Sequence, residues 1–346
     1  MKYGAIPENL PERLALAAGK VPIPLVDALF SILKSRVLMA AARAGIFEEM
    51  ASGPRTATAI AAARGLDPEV TEIVLRSMVW AGYLRERAGK FRLAPVARRS
   101  LVAGAPMDLR GFLAWNYAQW EMAGHMEELL ATGRGVDFHA TMTDPARWRD
   151  YQRAMLEVAR FDAPILAAKV PVRRGATRLL DLAGAHGLLG AAICRRHPPM
   201  RSTVIDLAAA IPFARDLARE AGHADLVEHR EGDLLTSDLG GGYDVVLLAN
   251  ILHHFRPEQI HGILPRVAAA LAAEGTVAIW ELERPDTKRP ASEGDGAALF
   301  FRLTSTAGCY RGEEFAAELR SAGLGRVRIV RPLLSPGSVL VLGRKG

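Results

Sequence analysis

Arg178-Leu-Leu-Asp-Leu-Ala-Gly-Ala-His-Gly187 decides the fold class of this chain. Arg178–Leu182 is a short apolar run of the kind that forms a strand buried on both faces. Ala183–Gly187 is a turn of small residues, and the helical pattern after it continues through Ala192. Small residues at such a turn let the backbone approach a ligand and aim helix N–H groups at it. A turn of this kind also serves plain tight packing in many α/β folds. Here Asp181 ends the strand before the turn, unlike the dinucleotide fingerprint. Its carboxylate would repel a pyrophosphate and suits a cationic ligand.

Downstream, apolar runs alternate with helical patterns, as in βαβ units on a parallel sheet. Ser202-Thr-Val-Ile-Asp206 reads as the second strand and ends in an acid able to accept hydrogen bonds from two ribose hydroxyls. Asp233, in Glu231-Gly-Asp-Leu-Leu235, follows the third strand, where it can meet an adenine amino group. Tyr243-Asp-Val-Val-Leu-Leu248 is the fourth strand and leads into Ala249-Asn-Ile-Leu-His-His-Phe255. Open α/β sheets bind ligands at these carboxyl ends, so the ordered set carries more weight than any one acid.

Upstream, apolar residues recur at helical spacing to about residue 175. Thr56 caps a helix that Gly65 ends; Asp67 caps the next, with Pro68 at its first position. Val70, Ile73, Val74 and Met78 on one face of that second helix, with Leu75 and Val79 on another, predict burial on several sides. Tyr83–Arg87 and Phe91–Leu93 then form a two-stranded wing around a tight turn. In this winged helix the second helix carries Glu69, Glu72 and Arg76 as its charged groups, a poor surface for DNA phosphates. An interaction module that packs on a second copy fits better. Between Met107 and Phe161 large side chains concentrate, among them Trp115, Trp120, Phe138, Trp148 and Tyr151. Most suit a core, and some can line a pocket for a planar substrate.

The 346 residues allow about two domains, and a chain 50% hydrophobic and 24% charged is globular in composition. Residues 1–105 hold 15 Lys and Arg against 9 Asp and Glu, so the net charge of +6 resides there and raises the question of nucleic acid. Cys194 and Cys309 are far apart, which argues against a disulfide framework and a zinc site. No apolar run approaches the roughly 20 residues of a membrane span, and the N-terminus lacks a signal-peptide pattern. A cytoplasmic protein with no membrane association is expected.

With these motifs the chain resembles the O-methyltransferases that join an N-terminal winged-helix dimerisation domain to a Rossmann-like domain binding S-adenosylmethionine. The resemblance runs from about Leu25 to Arg344. The family's Asp-Val-Gly-Gly-Gly-x-Gly matches Asp181–Gly187 with alanine at 183 and 185; its Asp-Leu-Pro matches Asp206-Leu207-Ala208, and its Gly-Asp matches Gly232-Asp233. Tyr310–Phe315 and Ala322–Leu324 also fit. The resemblance implies an α/β fold with three parts: a dimerisation domain over 1–105, a substrate-lining helical region over 106–172 and a catalytic domain over 173–346. It implies cofactor contacts from Asp181, Gly184, Gly187, Asp206, Leu207, Gly232, Asp233 and Asn250, and no metal. Leu252-His-His-Phe255 stands where the family has Leu-His-Asp-Trp, so His253 is implied as general base, with Glu281 orienting it. A second orienting acid is missing near Cys309, and His254 replaces the motif's aspartate. The expectation is a homodimeric enzyme that methylates a hydroxyl of an aromatic small molecule. Carbon or nitrogen methylation, or cofactor binding without transfer, are alternatives on the same fold; a ligand-sensing DNA-binding regulator is an alternative of another class.

Overall fold

The computed structural model describes residues 5–288, 290–291 and 293–346. It divides into two compact units, Met1–Tyr117 and Ala118–Gly346.

The first unit contains α1 (Leu10–Ala17), α2 (Ile23–Arg43), α3 (Ala57–Arg64), α4 (Pro68–Trp80), the strands β1 (Leu84–Arg87) and β2 (Lys90–Leu93), and α5 (Pro95–Ser100). The expected caps are present. Thr56 Oγ1 accepts the Ala59 N–H at 3.3 Å, and Asp67 Oδ1 accepts that of Val70 at 2.8 Å. Gly65 ends α3 in the left-handed region at φ +64°, which only glycine adopts without strain. β1 and β2 pair antiparallel as the wing. Phe47, Ile60, Leu75 and Met78 are buried in its core.

The expected burial of α4 on several sides is only half right. Leu75 and Met78 are buried, whereas Val70 and Ile73 are 57% and 61% exposed and Trp80 is 59% exposed. The first half of α2 is likewise uncovered, with Leu25, Leu29, Phe30, Ile32 and Leu33 exposed. Apolar periodicity marks a face that needs covering but does not say whether the cover lies in the same chain.

After α6 (Arg110–Ala123) come α7 (Met126–Thr132) and the long α8 (Pro145–Lys169). Then β3 (Arg178–Leu182), α9 (Leu188–Arg196), β4 (Arg201–Asp206), α10 (Ile211–Glu220), β5 (Val227–Glu231), β6 (Tyr243–Ala249), α11 (Pro257–Ala270) and β7 (Leu271–Leu282) alternate. α12 (Glu293–Leu303), α13 (Gly312–Ser321), β8 (Gly325–Val330) and β9 (Ser338–Arg344) complete the chain. The seven strands lie in the order β5-β4-β3-β6-β7-β9-β8. β3 to β7 pair in parallel and β9 runs antiparallel to both neighbours. Val245 to Leu248 of β6 are fully buried between helical layers, each leucine there contributing about 1.5–3 kcal/mol. The order reverses between β3 and β6, so the carboxyl ends of these strands frame the crevice where such sheets bind ligands.

Candidate active site

The turn after β3 is bent into an unfavourable shape and braced from behind. Ala183 and Ala185 take φ values of +53° and +49°, a left-handed conformation that costs a residue with a Cβ about 1–2 kcal/mol. Hydrogen bonds offset this. The Ala185 N–H donates to Asp206 Oδ2 at 2.8 Å, and its carbonyl accepts from His229 Nε2 at 3.0 Å. The next carbonyl, that of His186, accepts from His223 Nε2 at 2.7 Å. Carbonyls only accept, so both histidines carry their proton on Nε2. His186 Nδ1 in turn accepts the Leu188 N–H at 3.1 Å; burial and then the neighbouring His223 push His186 down to about 3. Nothing in local spacing ties His223 and His229 to the turn, so their role is not legible in the sequence. A Cβ on Gly184 would collide with the Asp181 carboxyl group, and one on Gly187 would meet Val227 Cγ1 at 2.8 Å. Both glycines shape the turn from beneath.

Asp181 lies beneath the turn and not on a cavity wall. It is 1% exposed, and its Oδ2 accepts the Gly190 N–H at 3.2 Å while Oδ1 has no partner among the described residues. Burial pushes its carboxyl up to about 7, the Gly190 N–H pulling the other way. A buried acid with one oxygen unmatched is held at the threshold of protonation directly under the turn.

Above the turn is a cavity of about 510 Å³ lined by Asp206, Leu207, Gly232, Asp233 and Asn250, together with Ala183 and Ala185. Asp206 Oδ1 accepts the Leu207 N–H at 2.7 Å, so each of its oxygens holds one backbone donor and keeps a lone pair for a ligand. Burial raises its pKa, opposed by the N–H groups of Leu207 and Ala185. Asp233 Oδ1 accepts from Leu235 N–H at 2.8 Å, and its own N–H donates to Ser237 Oγ at 2.8 Å. A Cβ on Gly232 would meet Ile205 Cγ2 at 2.8 Å, so glycine keeps this wall close to the strand. Two carboxylates and a closely approachable backbone around one cavity fit a cationic nucleoside with a ribose diol.

The opposite wall comes from the middle helices and the turn after β6. Trp148, Tyr151, His139 and His254 line it, Trp148 being fixed by a 2.9 Å bond from Nε1 to the Met142 carbonyl. Trp148 and Tyr151 belong to the aromatic concentration visible in the sequence. His139 carries no such signal beyond its neighbour Phe138, and His254 is legible only as a departure from a motif.

His253 sits just behind that wall, 3% exposed, between His254 and Phe301 with ring centroids at 4.2 and 4.1 Å. Its Nδ1 is 2.8 Å from Glu281 Oε2. A carboxylate only accepts, so Nδ1 carries the proton and Nε2 keeps the lone pair. Glu281 Oε1 also takes the N–H groups of Ile251 and Leu252 at 2.7 and 2.6 Å, tying the turn to β7. Cys309 is a buried thiol, pushed up to about 12 by burial and then by the charge of Glu281. It stays neutral and cannot act as a second acid.

Residues 119–324 match the O-methyltransferase domain, and residues 26–103 match the O-methyltransferase dimerisation domain. The chain belongs to the O-methyltransferase family. It is an S-adenosylmethionine-dependent methyltransferase, and the cavity above the glycine turn fits that cofactor. It is 29% identical over 323 residues to 3-hydroxy-5-methyl-1-naphthoate 3-O-methyltransferase of Streptomyces sahachiroi, covering 92% of this chain and 93% of that one. It is 27% identical over 311 residues to the N,N-dimethyltransferase OxyT of Streptomyces rimosus, covering 85% and 88%. Among solved structures, human N-acetylserotonin methyltransferase in complex with S-adenosylmethionine superposes with a TM-score of 0.83 at 20% identity, covering 98% of this chain and 99% of that one. Among the described residues of the methyltransferase, no helix is long and apolar enough to cross a membrane.

Proposed function

We propose that this methyltransferase acts as a homodimer and methylates a hydroxyl of an aromatic small molecule, with His253 as general base and Glu281 as the residue that positions it. The observation that carries this reading is the buried pair itself: a 2.8 Å contact that leaves Nε2 of His253 as an acceptor. S-adenosylmethionine, when bound, supplies an electrophilic methyl group. Asp206 and Asp233 would hold its ribose hydroxyls and adenine, with Leu207, Gly232 and Asn250 beside them and the turn Ala183–Gly187 close to its charged end. Asp181, Gly184 and Gly187 contribute from below by fixing that turn.

His253 holds the acceptor proton on Nε2 as the hydroxyl oxygen becomes nucleophilic, and Glu281 faces the positive charge that then spreads over the ring. A positioned base contributes about 10²–10⁴-fold. Orientation of the reacting groups contributes roughly 7–11 kcal/mol, so catalysis weakens without the base but does not vanish. Trp148 and Tyr151 give the acceptor a flat apolar wall.

The uncovered apolar faces of α2 and α4 support a second copy as the partner of the first unit. Glu69 and Glu72 are exposed on α4, and its Arg76 pairs with Glu86 at 3.3 Å, so the helix offers little free positive charge to DNA.

One experiment separates the methylated atoms. The enzyme is incubated with ¹³C-methyl cofactor and paired phenolic and arylamine acceptors, and the labelled product is read by NMR. A methyl resonance on oxygen is expected. Label on nitrogen alone would favour the second reading, to which the dimethyltransferase relative and the replacement of the motif's aspartate by His254 both point. No product from either class would sink the proposal.

A further inference from the structure

The wall opposite the two acids carries two imidazoles for which the transfer of the methyl group has no use. His139 opens the short turn His139–Thr141, and His254 closes the turn Leu252–His254. Their ring centroids are 4.6 Å apart with the planes at 69°. Neighbouring rings hold both in place. Phe138 lies 3.9 Å from His139 and 5.6 Å from His254, and Tyr151 sets its edge to His139 at 5.7 Å.

Among the described residues neither imidazole has a hydrogen-bond partner, and both line the cavity. Burial holds His139 at about 4 and His254 well below the usual histidine range, so both rings are neutral at neutral pH. A neutral imidazole presents one N–H donor and one acceptor nitrogen. Both residues are half-buried and their rings line the cavity, so an occupant with matching groups can take up these donors and acceptors. Rings packed only to fill space would be served as well by phenylalanine.

The charges around the cavity narrow the occupant further. Asp137, Asp206 and Asp233 line it, and Arg256 is the sole cationic side chain among the described lining residues. With Asp206 and Asp233 turned to the cofactor, an acceptor beside the two rings has Asp137 and Arg256 as the charged lining residues left to it, and the rings themselves offer a carboxylate no charge. Two donor–acceptor rings side by side instead match two adjacent oxygens on an uncharged molecule.

We propose that His139 and His254 together select an uncharged aromatic acceptor with a second oxygen function beside the hydroxyl that is methylated. One ring donates to that oxygen and the other accepts from its proton or from the neighbouring hydroxyl. This deepens the reading as an aromatic O-methyltransferase and rests on it for the identity of the reaction. The recognition itself is measurable without turnover.

The test is calorimetric titration of the full chain saturated with S-adenosylhomocysteine, using 2,3-dihydroxynaphthalene, 2-naphthol and 3-hydroxy-2-naphthoate. The diol is expected to bind at least about tenfold more tightly than 2-naphthol, the size of one or two matched hydrogen bonds, and the naphthoate no better than 2-naphthol. His139→Phe and His254→Phe should bring the diol-to-naphthol ratio to within about twofold. His139→Asn and His254→Asn, which keep a donor and an acceptor, should retain much of it. Affinity for S-adenosylhomocysteine shows that each variant is folded. A wild-type ratio near one, tighter binding of the naphthoate, a ratio unchanged in both Phe variants, or no binding of any naphthol would overturn the proposal. Should the diol be selected but its oxygen never methylated, the reaction assignment fails and the recognition assignment stands.

Discussion

Glu281 and His253 meet at 2.8 Å, and the same carboxylate takes the N–H groups of Ile251 and Leu252 with its other oxygen. One side chain thus fixes both the tautomer of the imidazole and the backbone turn that carries it. The pair joins β7 to the end of β6, so the base is mounted on the rigid centre of the sheet and not on a mobile loop.

Glu281→Gln therefore has two separable consequences. The amide keeps one acceptor oxygen and loses the other, leaving either the ring or the turn unmatched. Stability should fall by about 1–3 kcal/mol in denaturant titration. kcat should fall by at least about tenfold while KM for the cofactor stays within about threefold, because Asp206 and Asp233 lie at the ends of other strands. A variant that lost stability alone and kept kcat would show that Glu281 has no positioning role.

The uncovered face of the first unit makes a prediction about assembly. Ile73 on α4 and Leu29 on α2 are 61% and 48% exposed in the single chain. A double Ile73→Asp, Leu29→Asp variant should sediment as a monomer where the wild type sediments as a dimer. A wild-type monomer at micromolar concentration, or a variant dimer as tight as the wild type, would contradict this use of the face.

Acid sensitivity offers a third check. Folded His139 protonates only at about 4, whereas an unfolded histidine does so near 6.5. Above pH 6.5 both states are neutral and His139 has no effect on pH dependence. As pH falls from 6.5 towards 4, the unfolded state binds the extra proton and stability is lost. In His139→Phe that loss disappears, so the variant should gain on the wild type by up to about 1.4 kcal/mol per pH unit across this window. Stability curves that run parallel from pH 8 to 4 would show that His139 titrates normally in the folded chain.

Much of this is legible in the sequence alone. Alternating elements and strand-end acids placed Asp206 and Asp233 on the cavity wall, and the caps Thr56 and Asp67 are where the pattern put them. The position of Asp181 was not legible as a side-chain direction, because β3 is buried on both faces from Leu179 to Leu182 and carries no alternation to read. The exposure of Val70 and Ile73 escaped for a related reason: an apolar face looks the same whether its cover is the same chain or another. His223 and His229 are not legible because each reaches its carbonyl from a distant part of the chain, and His139 because it meets His254 only in the fold. Only folding brings them together.

The central claim is that His253 removes the proton from the acceptor hydroxyl. Single-turnover methyl transfer by His253→Ala, with cofactor and acceptor both saturating, tests it most directly. The rate should fall by about 10²–10⁴-fold with S-adenosylmethionine affinity within about threefold of wild type. A single-turnover rate equal to that of the wild type would contradict the assignment of His253 as base.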